Sequence, residues 1–293
     1  LCVPGGWLAD KYLTHKNAVL YGGWLLCLGH LLLAIKHTHI FFLGLIFIII
    51  GVGLLKPSIS TLVGSLYKET DIRRDQGFTI FYIGINIGAF FASILVGFIG
   101  EVYGWHYGFS LAGIGMIVGQ IFFIRGKKCF QSGLKRRSSL EQKNLTKVQI
   151  DRIKLIIIAS LILIIFWAAF EQAGGLLNIY AYEKTNRFLD FINFEIPASW
   201  FQSINPLMII IFGYFISLIW LKLEEKNFIN SSILKIAVGI IIMGSGFIFM
   251  FFASVEADTY GKSSMYWLVL AYALITIGEL CASPVILSYI TKL

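Results

Sequence analysis

The chain has 293 residues, 57% of them hydrophobic and 14% charged, with a formal net charge of +8 and a mean hydropathy of +0.79. Soluble domains carry about a quarter charged residues, so this composition excludes one and points to a protein of the bilayer. Runs such as LIFIIIGVGLL and IKLIIIASLILIIFW lack the alternation of membrane strands, which excludes a β-barrel and leaves helices.

A helical crossing needs about 20 mostly apolar residues, and eight such runs are predicted. The opening LCVPGGWLADKYLTHK has no basic leader followed by an apolar core, so no signal peptide is expected, and the missing initiator methionine points to a fragment. The first two spans, at about 17–36 and 40–66, carry His30, and Lys56 followed by Pro57. In the third, 77–99, Thr79, Tyr82 and Asn86 share a helical face. Gly84, Gly88 and Ala92, with Gly104, Gly108 and Ala112 around the start of the fourth span at 105–125, read as close-packing positions. A basic segment, 126–152, follows, with eight Lys or Arg against Glu141 and Asp151. It is read as a solvated cytoplasmic linker rather than a nucleic-acid site.

The fifth span, 153–181, places Trp167, Glu171, Gly175 and Asn178 at i, i+4, i+8 and i+11, one stripe of a continuous helix. The sixth, 198–221, has Gln202 and Asn205 on one face, then Pro206. The seventh, 233–254, has Lys235 near its start, and the eighth, 264–291, aligns Tyr272, Thr276, Glu279 and Ser283 ahead of Pro284. Prolines within spans predict kinks. The predicted organisation is a helical group at 1–125, the linker at 126–152 and a second helical group at 153–293, an arrangement suited to a transporter with a path between halves.

Of the 24 Lys and Arg, nineteen fall in alternate loops on one side and four on the other. The positive-inside rule makes the first side cytoplasmic, including the linker and the loops of Lys11, Arg73 and Lys226. The four cysteines show no paired spacing and combine with no histidine into a metal motif, so no metal is expected.

Three ionisable residues lie deep in the spans: Lys56, Glu171 and Glu279. A lone charge at the bilayer centre costs at least about 2.5–3.5 kcal/mol, so each is expected to face a cavity or a partner. A purely structural ion pair is the alternative. At about 1.5 Å per residue, Lys56 and Glu279 lie roughly 24 and 21 Å from the outer ends of their helices, depths at which they can meet. Glu171, roughly 24 Å from the cytoplasmic end of its own helix, belongs to the outer half.

GGWLADKYL, LLKPSISTLVGSLY, RRDQGFTIFYIGINIGAFFA, FWAAFEQAGG, FQSINPL and TIGELCASPVILSYITKL together resemble the proton-dependent oligopeptide transporter family of the major facilitator superfamily. The resemblance implies an all-α membrane fold of twelve helices in two bundles, of which this chain supplies the third to the tenth. It implies a proton-coupled symporter importing di- and tripeptides across the cell (inner) membrane, with protons as coupling ion and no cofactor.

By the same resemblance Lys56 holds the peptide carboxylate and pairs with Glu279 at an inner gate. Asn86, Asn205 and Glu279 receive the amino terminus, and Trp167 walls the pocket. Glu171 pairs at an outer gate with a first-helix arginine that is absent from this sequence. Ser58 and Gly175 depart from the family's usual asparagine and serine. The chain by itself is expected not to transport. The alternatives are a carrier of another small nitrogenous or anionic solute, or a nonfunctional truncated membrane protein; an intramembrane enzyme is rejected because no nucleophile or metal constellation accompanies the carboxylates.

Overall fold

Uninterrupted apolar runs dictate long helices, because only a helix satisfies every backbone polar group within its own segment in lipid. The computed structural model describes residues 1–67, 73–130, 147–226 and 232–292. It divides into two compact units, Leu1–Ile85 with Leu95–Lys143, and Asn86–Ile94 with Asn144–Leu293.

The first unit begins with a short helix α1 (Cys2–Lys11) and α2 (His15–Leu33). The Thr14 hydroxyl caps α2 by accepting from the Asn17 N–H. Helix α3 (Thr38–Ser65) runs through Pro57 without a break. Helix α4 (Arg73–Phe91), whose end from Asn86 on belongs to the second unit, passes through a π-helical turn, Ala92–Val96, into α5 (Gly97–Tyr103), and Gly104 at φ 115° turns the chain into α6 (Trp105–Gly126). Helices α2 and α3 meet backbone to backbone: a Cβ on Gly22 would lie 2.8 Å from the Gly51 carbonyl oxygen, and one on Gly29 would lie 2.9 Å from that of Gly44. Buried Gln120 of α6 donates to the Leu20 carbonyl at 2.7 Å, tying α6 to α2.

The second unit starts with α7 (Lys147–Phe170), a single 3-10 turn at Glu171–Ala173, and α8 (Leu176–Lys184). The connection from α8 to the next helix contains three two-residue strands, β1 (Thr185–Asn186), β2 (Phe188–Leu189) and β3 (Phe194–Glu195), then a 3-10 stretch, Ala198–Ser203. Helix α9 (Ile204–Glu225), helix α10 (Ser232–Tyr260), strand β4 (Ser263–Ser264) and helix α11 (Met265–Lys292) complete it. Strand β1 pairs parallel with β4, and β2 pairs antiparallel with β3 around left-handed Asn193. The core joins Phe166, Leu177, Phe201, Met243, Leu268 and Ile275. Along α10 and α11, Gly239 and Gly278 face each other's carbonyl oxygens, at 2.7 and 2.6 Å from the position of a Cβ.

Several expectations change. Among the described residues, six helical segments are long and apolar enough to cross a membrane. Helix α2 is diluted by His15, Lys16, Asn17 and three glycines, and the predicted 153–181 span is interrupted after Phe170, leaving α7 as a helix of 24 residues. Pro206 sits in the first turn of α9, directly after the 3-10 stretch Ala198–Ser203. Among the described residues nothing lies within 4 Å of a Cβ placed on Gly84 or Gly88, whereas Gly108 abuts Gly100 and the Val96 carbonyl. The side chains of Ser283 and Pro284, and residues 131–146 of the predicted linker, lie outside the described residues.

Candidate functional site

The fifth predicted span breaks where its sequence reads FEQAGG, and the break frees backbone carbonyls inside an apolar setting. An unpaired buried carbonyl costs about 1–3 kcal/mol, so such a break persists only where other groups satisfy it. The Ala173 carbonyl is met twice: Gln202 Nε2 donates to it at 2.6 Å and the Tyr272 hydroxyl at 2.7 Å. Gln202 also donates to the Tyr272 oxygen at 3.1 Å, closing a triangle among the break, the Ala198–Ser203 turn and α11.

One helical turn along α11 from Tyr272, the Thr276 hydroxyl donates to the Tyr272 carbonyl at 2.7 Å. Asn205, at the start of α9, donates through Nδ2 to Thr276 Oγ1 at 3.2 Å and to Glu279 Oε2 at 2.8 Å. Glu279 is only 8% exposed, so the partner that receives its carboxylate is a neutral amide within the second unit. The spacing of 272, 276 and 279 on one helical face is what brings these side chains into register, as α11's sequence predicted.

The other predicted site residues are placed as follows. Glu171 opens the 3-10 turn and is solvent-accessible. Trp167 lies edge-on to Phe166 and Phe170, at ring separations of 5.5 and 5.2 Å, and is part of an aromatic cluster leading to the break. Asn86 is buried and belongs to the second unit, and Trp200 Nε1 donates to the Ile94 carbonyl of that same segment at 3.1 Å. Lys56 is exposed on α3 in the first unit, next to Pro57 and wholly buried Ser58. The second unit thus brings Asn205 and Glu279 into direct contact and connects them through Thr276 and Tyr272 to the turn that carries Glu171.

Sequence reasoning placed Gln202, Tyr272 and Thr276 on polar stripes but missed what they bind. Paired glycines after Glu171 were the available signal for the break. It also missed a set of charges at the α10–α11 connection and the preceding loop. Glu256 accepts from the Ser264 N–H at 3.0 Å and from the Trp267 indole. Buried Arg187 pairs with Glu195 at 2.9 Å and donates to the Ile196 carbonyl.

Long apolar helices enclosing a buried carboxylate and its amide partner, beside a broken helix, define a multi-pass membrane protein of the transporter class. A family model described as the POT family matches residues 16–149 and 131–293, and the chain belongs to that family of transporters. It is 34% identical to the peptide transporter YePEPT of Yersinia enterocolitica, covering 99% of this chain and 70% of the relative. It is 32% identical to a di-/tripeptide transporter of Lactococcus lactis, over 99% of this chain and 71% of that protein. A crystal structure of a mutant of the peptide transporter POT with alafosfalin superposes with a TM-score of 0.78 at 31% identity, covering 97% of this chain and 68% of that one.

Proposed function

We propose that this chain belongs to a proton-coupled symporter that imports di- and tripeptides by alternating access. The observation that carries the reading is Glu279, a buried carboxylate held by the neutral Asn205 amide. A carboxylate so held can exchange partners with a cationic amino terminus or take up a proton. The similarity to peptide and di-/tripeptide transporters supports peptides as the substrate.

In this reading Asn86, Asn205 and Glu279 receive the peptide amino group, Lys56 receives its carboxylate, and Trp167 lines the pocket wall. Lys56 and Glu279 form an inner gate when no peptide is bound, and Glu171 serves the outer gate and proton coupling. Proton and peptide drive the cycle only through their different affinities for inward-open and outward-open states. The protein crosses the cell (inner) membrane as two helical groups, 1–125 and 153–293, with the 126–152 linker and the Lys11, Arg73 and Lys226 loops cytoplasmic. A second reading, a small nitrogenous solute with amino and carboxyl ends, is favoured by one similar structure, a POT family transporter holding 5-aminolevulinic acid, at 29% identity and TM-score 0.76.

The test is uptake of labelled dipeptide into proteoliposomes containing the full-length transporter, with an acid-outside gradient. Accumulation that collapses with a protonophore is the expected result. Gradient-independent equilibration would remove proton coupling from the account, and uptake of 5-aminolevulinic acid without dipeptide would favour the second reading.

A further inference from the structure

We propose that Gln202 and Tyr272 are positioning residues that clamp the broken turn at Glu171–Ala173 and thereby set where the Glu171 carboxylate stands; the inference rests on the transporter reading above. Helix α7 ends at Phe170 and α8 starts at Leu176, so the turn between them is held by neither helix's full hydrogen-bond ladder. Besides the bonds internal to the 3-10 turn, the Gly174 N–H donates to the Glu171 carbonyl at 3.2 Å and Gln172 Nε2 donates to the Ala168 carbonyl at 3.0 Å. The remaining restraint comes from elsewhere in the unit: two donors, from the Ala198–Ser203 turn and from α11, converge on the single Ala173 carbonyl.

The donors are fully committed. Both Gln202 N–H groups are used, one on Ala173 and one on the Tyr272 oxygen, whose own hydrogen goes to Ala173. Both Asn205 N–H groups are used on Thr276 and Glu279, and the Thr276 hydrogen goes to the Tyr272 carbonyl. No hydrogen is left to rotate toward another acceptor, so a change at one member must be absorbed by its neighbours. The chain therefore ties the Glu171 turn to Glu279. Nothing in the sequence stripes of α9 or α11 requires a backbone carbonyl of a third helix as the common acceptor.

Tyr272→Phe and Gln202→Met keep the volume and remove the clamp's donors while leaving Asn205 on Glu279. Amide hydrogen exchange of residues 171–175 in the full-length transporter is expected to accelerate at least tenfold in either variant; unchanged exchange overturns the clamp whatever transport does. In proton-driven dipeptide uptake, either variant is expected to lower the maximal rate about tenfold with KM within twofold. In a Glu171→Gln background the same substitutions are expected to add less than twofold. An equal loss in both backgrounds shows that the two residues act independently of Glu171 and overturns the positioning role. Should the wild-type transporter take up no dipeptide, the substrate reading fails and the exchange measurement alone decides the clamp.

Discussion

Replacing Gly278 by alanine tests the packing that presents Glu279. A Cβ at position 278 would lie 2.6 Å from the Gly239 carbonyl oxygen and 2.7 Å from both the backbone N and the Cβ of Met243. Ordinary contact begins near 3.4 Å, so α10 and α11 must separate by roughly 0.8 Å, against backbone on one side and a buried methionine on the other. Overpacking of this kind costs about 1–3 kcal/mol, which corresponds to a fall of about 3–10 °C in the melting temperature of a unit this size. Gly244, on the partner helix α10, is the control, because a Cβ there would meet nothing within 4 Å. Alanine there is expected to be neutral or to stabilise by about 0.5–1 kcal/mol through helix propensity. Thermal unfolding of the two purified variants in detergent is the assay. Equal melting temperatures for Gly278→Ala and Gly244→Ala would refute the close approach as the determinant of this helix pair.

Glu256→Ala removes the acceptor shared by the Ser264 N–H and the Trp267 indole, at the start of α11. A loss of about 1–3 kcal/mol is expected in thermal unfolding, with Glu256→Gln retaining more stability than the alanine variant; identical melts for both would count against the bonding role. Arg187→Met breaks the Glu195 pair and the bond to Ile196. Since the Glu195 side chain is 57% exposed, the pair itself is screened and the expected loss is about 1–2 kcal/mol, seen as faster protease nicking within 188–196. Unaltered nicking would mean that strand pairing alone holds this loop.

How much of the site was legible follows from the kind of signal each part leaves. The Tyr272, Thr276 and Glu279 face of α11 was readable because helical spacing and membrane depth both constrain it, and the bonds from Asn205 fit that face. The FEQAGG break was not read, since a 3.6-residue stripe through Trp167, Glu171 and Asn178 fits a continuous helix equally well; what decides against it is the pair of outside donors on Ala173, from residues 29 and 99 positions away. At Gly84 and Gly88 four-residue spacing suggested packing, and among the described residues no atom lies within 4 Å of a Cβ there. Strands of two residues, such as β1 and β4, leave no periodicity at all, and their pairing is set by where α8 and α10 deliver the chain. Pro206 illustrates the limit of boundary reading: a six-residue 3-10 stretch precedes α9 and puts the proline in the first turn of that helix.

Glu279 and Lys56 are proposed as the charged pair through which peptide transport runs. The most direct measurement is proton-driven dipeptide uptake by Glu279→Gln and Lys56→Ala in the full-length transporter reconstituted at equal protein levels. The account predicts that each substitution abolishes uptake while folding and membrane insertion are retained. Uptake at the wild-type rate in either variant would contradict it.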